Sequence, residues 1–342
     1  MPLASNTVFP SAEWVVGKPD ADVDANRLQS EIDGVIGDRE NTGTTLAVLA
    51  IHRGRLVAEA YSEGTDSNTP LISWSMAKSF THALVGIAVG DDLLNPDSTA
   101  PIEQWRNDGR REITLQHLLN MRSGLSWVED YVDDKVSNVI EMLFGSGKDD
   151  HAAYAIAQPL ADAVGSKWLY SSGTTNIICR IIGDVLGDGP GSRDQIFAFI
   201  NVRLFDALGM KSATARFDLA GTFVGSSYVF ASAADFARFG YLYLNDGVWN
   251  GRRILPEGWV DHARALTAVD PESGLGYGAQ WWTLPNETMS LAACGYEGQY
   301  IIVAPTRDLV LVRLGKTPAE KRNAVLGSLI SMIESFPVTN TV

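Results

Sequence analysis

Strand-like patterns crowd the two ends of this 342-residue chain and are nearly missing from its middle. "TTLAVLAIHRGRLVAEAY" holds two apolar, β-branched runs around a polar turn at His52 to Arg55, which predicts a hairpin. Near the other end, "QYIIVAP" and "DLVLVRLG" predict a second hairpin across "PTRD", with "YGAQWWTL" and "SLAACG" as further strands before it. From about 90 to 220 the periodicity is mostly helical, as in "ITLQHLLNMRSGL", "TTNIICRIIGDVLG" and "RDQIFAFINVRLFDALGM". Segregated strands and helices predict an α+β fold rather than alternating βαβ units. The two terminal strand regions are expected to share one antiparallel sheet flanked by helices, with a mostly helical domain inserted. The expected domains are a discontinuous sheet domain of 1–74 and 225–342 and a helical domain of 75–224, with the active site in the cleft between them.

Other helices are expected over 22–37, over 75–89 with a stop at Gly90, and over about 318–335. Two more are read in "SAADFARFGYLYLNDG", capped by Ser232, and in "PEGWVDHARAL", with Pro256 in its first turn.

The bulk of the chain narrows the function. Hydrophobic residues make up 45% and charged residues 20%, enough to bury a large core, and the length suggests two domains. A formal charge of -14 argues against nucleic acid or an anionic membrane as partner, since both need clustered Lys and Arg. No apolar run approaches the ~18 residues needed to span a bilayer. The opening "MPLASNTVFPSAEW" lacks the basic start and apolar core of a secretory signal, so the expectation is a soluble, cytoplasmic protein. Cys179 and Cys294 read as two free thiols. Five scattered histidines, without CxxC or HExxH, give no metal signal, and no cofactor is expected.

The segment "SWSMAKSFTHALVGIAVG" carries the chemistry. Lysine is almost never fully buried unless paired, yet Lys78 sits in the first turn of an apolar helix, three residues after Ser75. At 100° per residue, Lys78, Ser79, His82 and Gly86 fall within about 60° of Ser75. Phe80, Ala83, Leu84 and Ile87 fall on the far side. The helix is therefore apolar nearly all round, with one polar seam. A serine hydroxyl becomes a good nucleophile when a nearby base takes its proton. Lysine serves as that base once desolvation or a neighbouring cation lowers its pKa. His82, two turns from Ser75, reads as a satisfied core histidine, and His117 as structural.

"SMAK", then "YSSG" 95 residues later, then "GYEGQYIIVAP" resemble the serine β-lactamase and penicillin-binding-protein superfamily. The nearest branch is class C-like: family VIII carboxylesterases and 6-aminohexanoate-dimer (nylon oligomer) hydrolases. The resemblance runs from about 40 to 330 and includes the connecting segments "ITLQHLLNMRSGLSW" and "DFARFGYLYLNDGVWNGRRIL". It implies a serine β-lactamase-like fold with Ser75 as nucleophile, Lys78 as its partner and Tyr170 as proton relay. The Tyr170 phenol needs a cation such as Lys78 beside it to ionise easily, and the Lys–Tyr–Ser protons are then expected to titrate as a coupled set. Ser172 is expected to support Lys78 or the substrate. The backbone N–H groups of Ser75 and Gln299 form the expected oxyanion hole. Tyr296, Glu297 and Gly298 stand where β-lactamases carry Lys-Thr-Gly; Gly298 is expected to let the strand approach the ligand closely. Losing that cation speaks against β-lactam or D-Ala-D-Ala recognition. Tyr131 in "WVEDYVDD" is matched to a tyrosine that closes over the substrate amide. If that loop lines the pocket, Glu129, Asp130, Asp133 and Asp134 would suit an amine end. From the residues alone, "YSSG" also reads as a turn before a helix, "GYEG" as a loop before a strand and the acidic loop as a solvated face.

The resulting expectation is a serine hydrolase that cleaves a small ester or amide through an acyl-enzyme. An acyltransferase and a non-catalytic binding protein on the same scaffold are the alternatives. GxSxG is absent, which argues against an α/β-hydrolase elbow. Only a small-molecule partner is expected, with no nucleic acid and no membrane; a homodimer stays open.

Overall fold

The computed structural model describes residues 13–130, 137–187 and 193–339. Both ends of the chain meet in one nine-stranded sheet. Thr44–His52 lies between Arg55–Tyr61 and Leu309–Lys316. Gln299–Ala304 and Leu291–Gly295 follow outwards, then the two-residue strands Trp282–Thr283, Gly276–Tyr277 and Ala268–Val269. All these pairs are antiparallel. Val15–Val16 adds a short parallel edge beside Arg55–Tyr61. Both expected hairpins form.

The central strands read as almost unbroken apolar runs because both faces of the sheet are covered. On one face Val48, Ala50, Ile302 and Leu311 pack with Leu28, Ile32, Leu329 and Met332 of the helices Ala25–Gly37 and Arg322–Glu334. On the other, Leu49, Ile301 and Val310 join a larger cluster. It continues through Phe239 of the Ala233–Leu244 helix into Phe80 and Leu84 of the Ala77–Gly90 helix and Ile178 of the Ser172–Leu186 helix. Phe80 stacks on Phe239 with ring centroids 3.7 Å apart. The apolar side of the seam helix is thus what anchors it to the sheet.

Several boundaries differ from the sequence expectation. The seam helix opens with a 3₁₀ turn, Trp74–Met76, before its α-helical part. "PEGWVDHARAL" is helical only over Trp259–Arg264, and Gly258 with φ 79° is its N-cap. Pro256 instead closes the preceding turn, its carbonyl accepting the Trp259 N–H at 3.1 Å. "YGAQWWTL" is not one strand: Gln280 at φ 56° breaks it into two short pieces. Its side chain accepts the Thr175 hydroxyl at 2.8 Å, and its carbonyl accepts the Ser79 hydroxyl at 2.9 Å. Tertiary bonds outweigh strand propensity there. Ser232 does cap its helix, accepting the Asp235 N–H.

His82 is fully buried between Tyr243 Oη, 2.8 Å from its Nδ1, and His262 Nδ1, 3.1 Å from its Nε2. His117 completes a capping box with Thr114. Both cysteines are free. Among the described residues no helix is long and apolar enough to cross a membrane.

Candidate active site

The chain reaches Ser75 under tight control. A three-stranded sheet of Leu71–Ile72, Val229–Ala231 and Thr214–Ala215 delivers it. Ser73 donates its N–H to the Val229 carbonyl at 2.8 Å, and its hydroxyl accepts the Val229 N–H at 3.1 Å. Trp74 then adopts φ 44°, a conformation a bulky residue takes only when its surroundings impose it. The indole donates to Glu297 Oε2 at 3.1 Å and packs against Tyr228 and Tyr296, with centroids 5.9 and 5.8 Å away. These contacts hold the turn that presents Ser75.

Lys78 is 2% exposed. Its ammonium nitrogen lies 3.0 Å from Ser75 Oγ, 2.9 Å from Ser172 Oγ and 3.1 Å from the Ser226 carbonyl oxygen. Burial pushes its pKa down to about 8, against an opposing pull from the Glu129 carboxylate. The nitrogen also sits 4.8 Å from the Tyr170 ring centroid. Tyr170 hydrogen-bonds Ser75, but burial and the charge of Glu129 hold its phenol well above the ordinary tyrosine range. Lys78 beside the ring does not bring the phenol down into the ordinary range. Desolvation of the phenolate outweighs any help from Lys78, so the phenol keeps its proton while the amine is the group that readily loses one.

Ser172 begins the Ser172–Leu186 helix, capped by Ser171, whose Oγ accepts the Thr174 N–H at 3.0 Å. Its hydroxyl donates to Glu129 Oε1, and its N–H to Glu129 Oε2 at 2.8 Å. The Trp127 indole donates to the same Oε2 at 2.6 Å. Gly173 makes this approach possible, since a Cβ there would lie 2.4 Å from the Trp127 ring. Glu129 is therefore engaged with the protein, which corrects its reading as one acid of a solvated or amine-binding loop.

Tyr296, Glu297 and Gly298 form a 3₁₀ turn between Leu291–Gly295 and Gln299–Ala304. Glu297 turns at φ 60° and reaches Trp74, not open cleft. Gly298, at φ 76°, is needed for another reason than the expected one: a Cβ would lie 2.8 Å from the Arg313 guanidinium. What presses on it is the protein's own cation. Arg313, fully buried, donates to the Glu297 and Gly298 carbonyls at 3.1 and 2.8 Å, and to Thr45 and Thr317 hydroxyls at 2.9 and 2.8 Å. Burial lowers its pKa to about 10. Gln299 heads its strand opposite Gly295, where a Cβ would be 2.3 Å from the Ser73 carbonyl, so this strand end borders the Ser75 turn. The Gln299 side chain is tied to Gly315, accepting its N–H at 2.9 Å. Arg313→Met should strand these acceptors in the interior and cost about 3 kcal/mol. Urea denaturation with an unchanged slope and a lower midpoint would record it.

The structure thus brings Ser75, Lys78, Tyr170 and Ser172 together, with the 296–299 turn alongside. Tyr131, Asp133 and Asp134 lie outside the described residues. Among the described residues no group of three or more His, Cys, Asp or Glu could hold a metal ion. Sequence reasoning missed the Ser226 carbonyl and Arg313, and named Glu129 only as one of four loop acids. Arg313 left a signal, a lone charge inside "LVLVRLG"; Glu129, one of several acids in a row, left none.

Known proteins place the chain in a family. The family model "Beta-lactamase" matches residues 37–329. The 6-aminohexanoate-dimer hydrolase of Paenarthrobacter ureafaciens is 24% identical over 298 residues, 80% of this chain and 73% of that protein. A Bacillus anthracis protein, provisionally a 6-aminohexanoate-dimer hydrolase, superimposes with a TM-score of 0.76 at 23% identity, over 95% of this chain and 89% of that one. A class C beta-lactamase gives 0.65 at 14% identity, over 90% and 96%. The structural likenesses establish the shared fold.

Proposed function

Because the chain belongs to the Beta-lactamase family, we propose that it is a serine hydrolase that cleaves a small ester or amide through an acyl-enzyme on Ser75. The observation that carries this reading is the buried, desolvated Lys78 nitrogen 3.0 Å from Ser75 Oγ. In this reading neutral Lys78 takes the Ser75 proton as Oγ attacks the carbonyl carbon. The oxyanion rests on the backbone N–H groups of Ser75 and Gln299. The tetrahedral intermediate collapses, Tyr170 protonates the departing oxygen or nitrogen, and the Lys78 ammonium restores the phenol's proton. Water then attacks the ester on Ser75, and the same groups run in reverse. A phenol with a raised pKa holds its proton until a strongly basic leaving group arrives, which suits alkoxide and amide nitrogen alike. The Tyr296–Gly298 turn offers no lysine to a substrate carboxylate, and Arg313 behind it is spent on backbone and hydroxyl acceptors. This favours neutral esters and amides over β-lactams. The rings around Tyr170, Trp168, Tyr277 and Trp282 within 5.4 to 6.5 Å, favour an apolar substituent.

The test is a pre-steady-state burst with p-nitrophenyl acetate across pH. Lys78 must be neutral to act, so the burst rate should rise with pH and level off above about 8. A pH-independent rate between 6 and 9, or the absence of any burst or Ser75 adduct, would remove the reading.

A further inference from the structure

A neutral lysine amine has two N–H donors and one lone pair, and the neighbours of Lys78 decide where each points. The Ser226 carbonyl can only accept, so one N–H goes there. The Ser172 hydroxyl has one proton, and it is directed at Glu129 Oε1. Toward Lys78, Ser172 Oγ can then only accept, and the second N–H goes to it. Ser75 Oγ is the third neighbour, and it meets the lone pair. The Ser172 proton faces away from Lys78 because a carboxylate is fixed there, held at its other oxygen by the Ser172 N–H and the Trp127 indole.

We propose that Glu129 is a positioning residue of the catalytic set: by holding the Ser172 hydroxyl as an acceptor toward Lys78, it directs the Lys78 lone pair to Ser75. This rests on the reading of Ser75 as nucleophile and Lys78 as its base. The geometry makes the isosteric variant informative. In Glu129→Gln, the amide oxygen keeps the two N–H donors at the Oε2 position, and its NH₂ faces Ser172. That NH₂ donates to Ser172 Oγ, the Ser172 proton swings toward Lys78, and the lone pair is diverted from Ser75. Two further groups act on Lys78, the Tyr170 ring and the Cys179 thiol, and both are left in place. The carboxylate charge also favours the ammonium, so its loss should lower the pH at which Lys78 becomes neutral.

The experiment measures the acylation rate of wild type, Glu129→Gln, Ser172→Ala and the double variant against pH. In parallel, Lys78 is titrated by ¹³Cε NMR in Ser75→Ala proteins with and without Glu129→Gln. Expected are an acylation rate lower by about 100-fold in Glu129→Gln, an acid limb moved to lower pH, a matching shift of the Lys78 titration, and a double variant no worse than Ser172→Ala alone. A wild-type rate and pH profile in Glu129→Gln overturns the proposal. So does a lower rate with an unmoved Lys78 titration and additive effects, which would leave Glu129 only a packing role. Failure of the underlying reading looks different: wild type itself forms no Ser75 adduct, while the NMR titration still reports whether Glu129 governs the amine.

Discussion

Ser75→Ala should abolish covalent labelling by a fluorophosphonate and lower ester turnover by at least about 10⁴-fold. In the proposed mechanism every other group near the site acts through this oxygen: Lys78 Nζ, 3.0 Å from it, is the base, and Tyr170, hydrogen-bonded to it, delivers the proton to the leaving group. Removing the hydroxyl leaves a base with nothing to deprotonate. The fold should hardly notice: Ser75 is partly exposed, and the two hydrogen bonds lost are worth about 1 kcal/mol each at most. Intact-mass spectrometry after labelling, beside a thermal melt, separates the two effects. An adduct that survives in Ser75→Ala would move the nucleophile elsewhere. A wild type that takes no label would favour a non-catalytic protein on this scaffold.

Lys78→Met should cost about 10³-fold in acylation and at the same time change how stability depends on pH. The Lys78 pKa falls from 10.5 to about 8 on folding because its charge is buried. The unfolded chain therefore binds this proton more tightly. Below pH 8 the full cost applies, roughly 3 kcal/mol. It shrinks as pH rises and vanishes above about 10.5, the ordinary lysine value. Methionine carries no such cost. The stability of Lys78→Met relative to wild type should grow by that amount as pH falls from 10.5 to 8, whatever the lost hydrogen bonds subtract uniformly. Urea midpoints across that range measure it, and a difference flat with pH would show that Lys78 is not desolvated. The group proposed to activate Ser75 thus lowers the stability of the native state.

Much of this site was legible in order along the chain. Ser75 and Lys78 stood out because a helix apolar on three sides has no ordinary use for a lysine in its first turn. Tyr170 and Ser172 became readable only beside the other motifs, since "YSSG" by itself is also a turn before a helix. Glu129 was illegible for a physical reason: a carboxylate receiving an indole, a hydroxyl and a backbone N–H looks, in sequence, like any acid in a solvated run. Gly298 was expected to let the strand approach a ligand, but only the fold reveals that Arg313, fifteen residues later on a neighbouring strand, is what crowds it.

Local pattern alone determined most element types, the α+β segregation, both hairpins and the polar seam, because each depends on periodicity within a few turns of chain. Tertiary structure alone decided the protonation chemistry. Whether Lys78 is neutral and Tyr170 protonated depends on how much water is removed and which charges stand nearby. Burial and the Glu129 carboxylate set both, and Glu129, Ser172 and Ser226, the groups gathered around Lys78, come from far along the chain. Desolvation is a property of the assembled interior, so no stretch of sequence carries it.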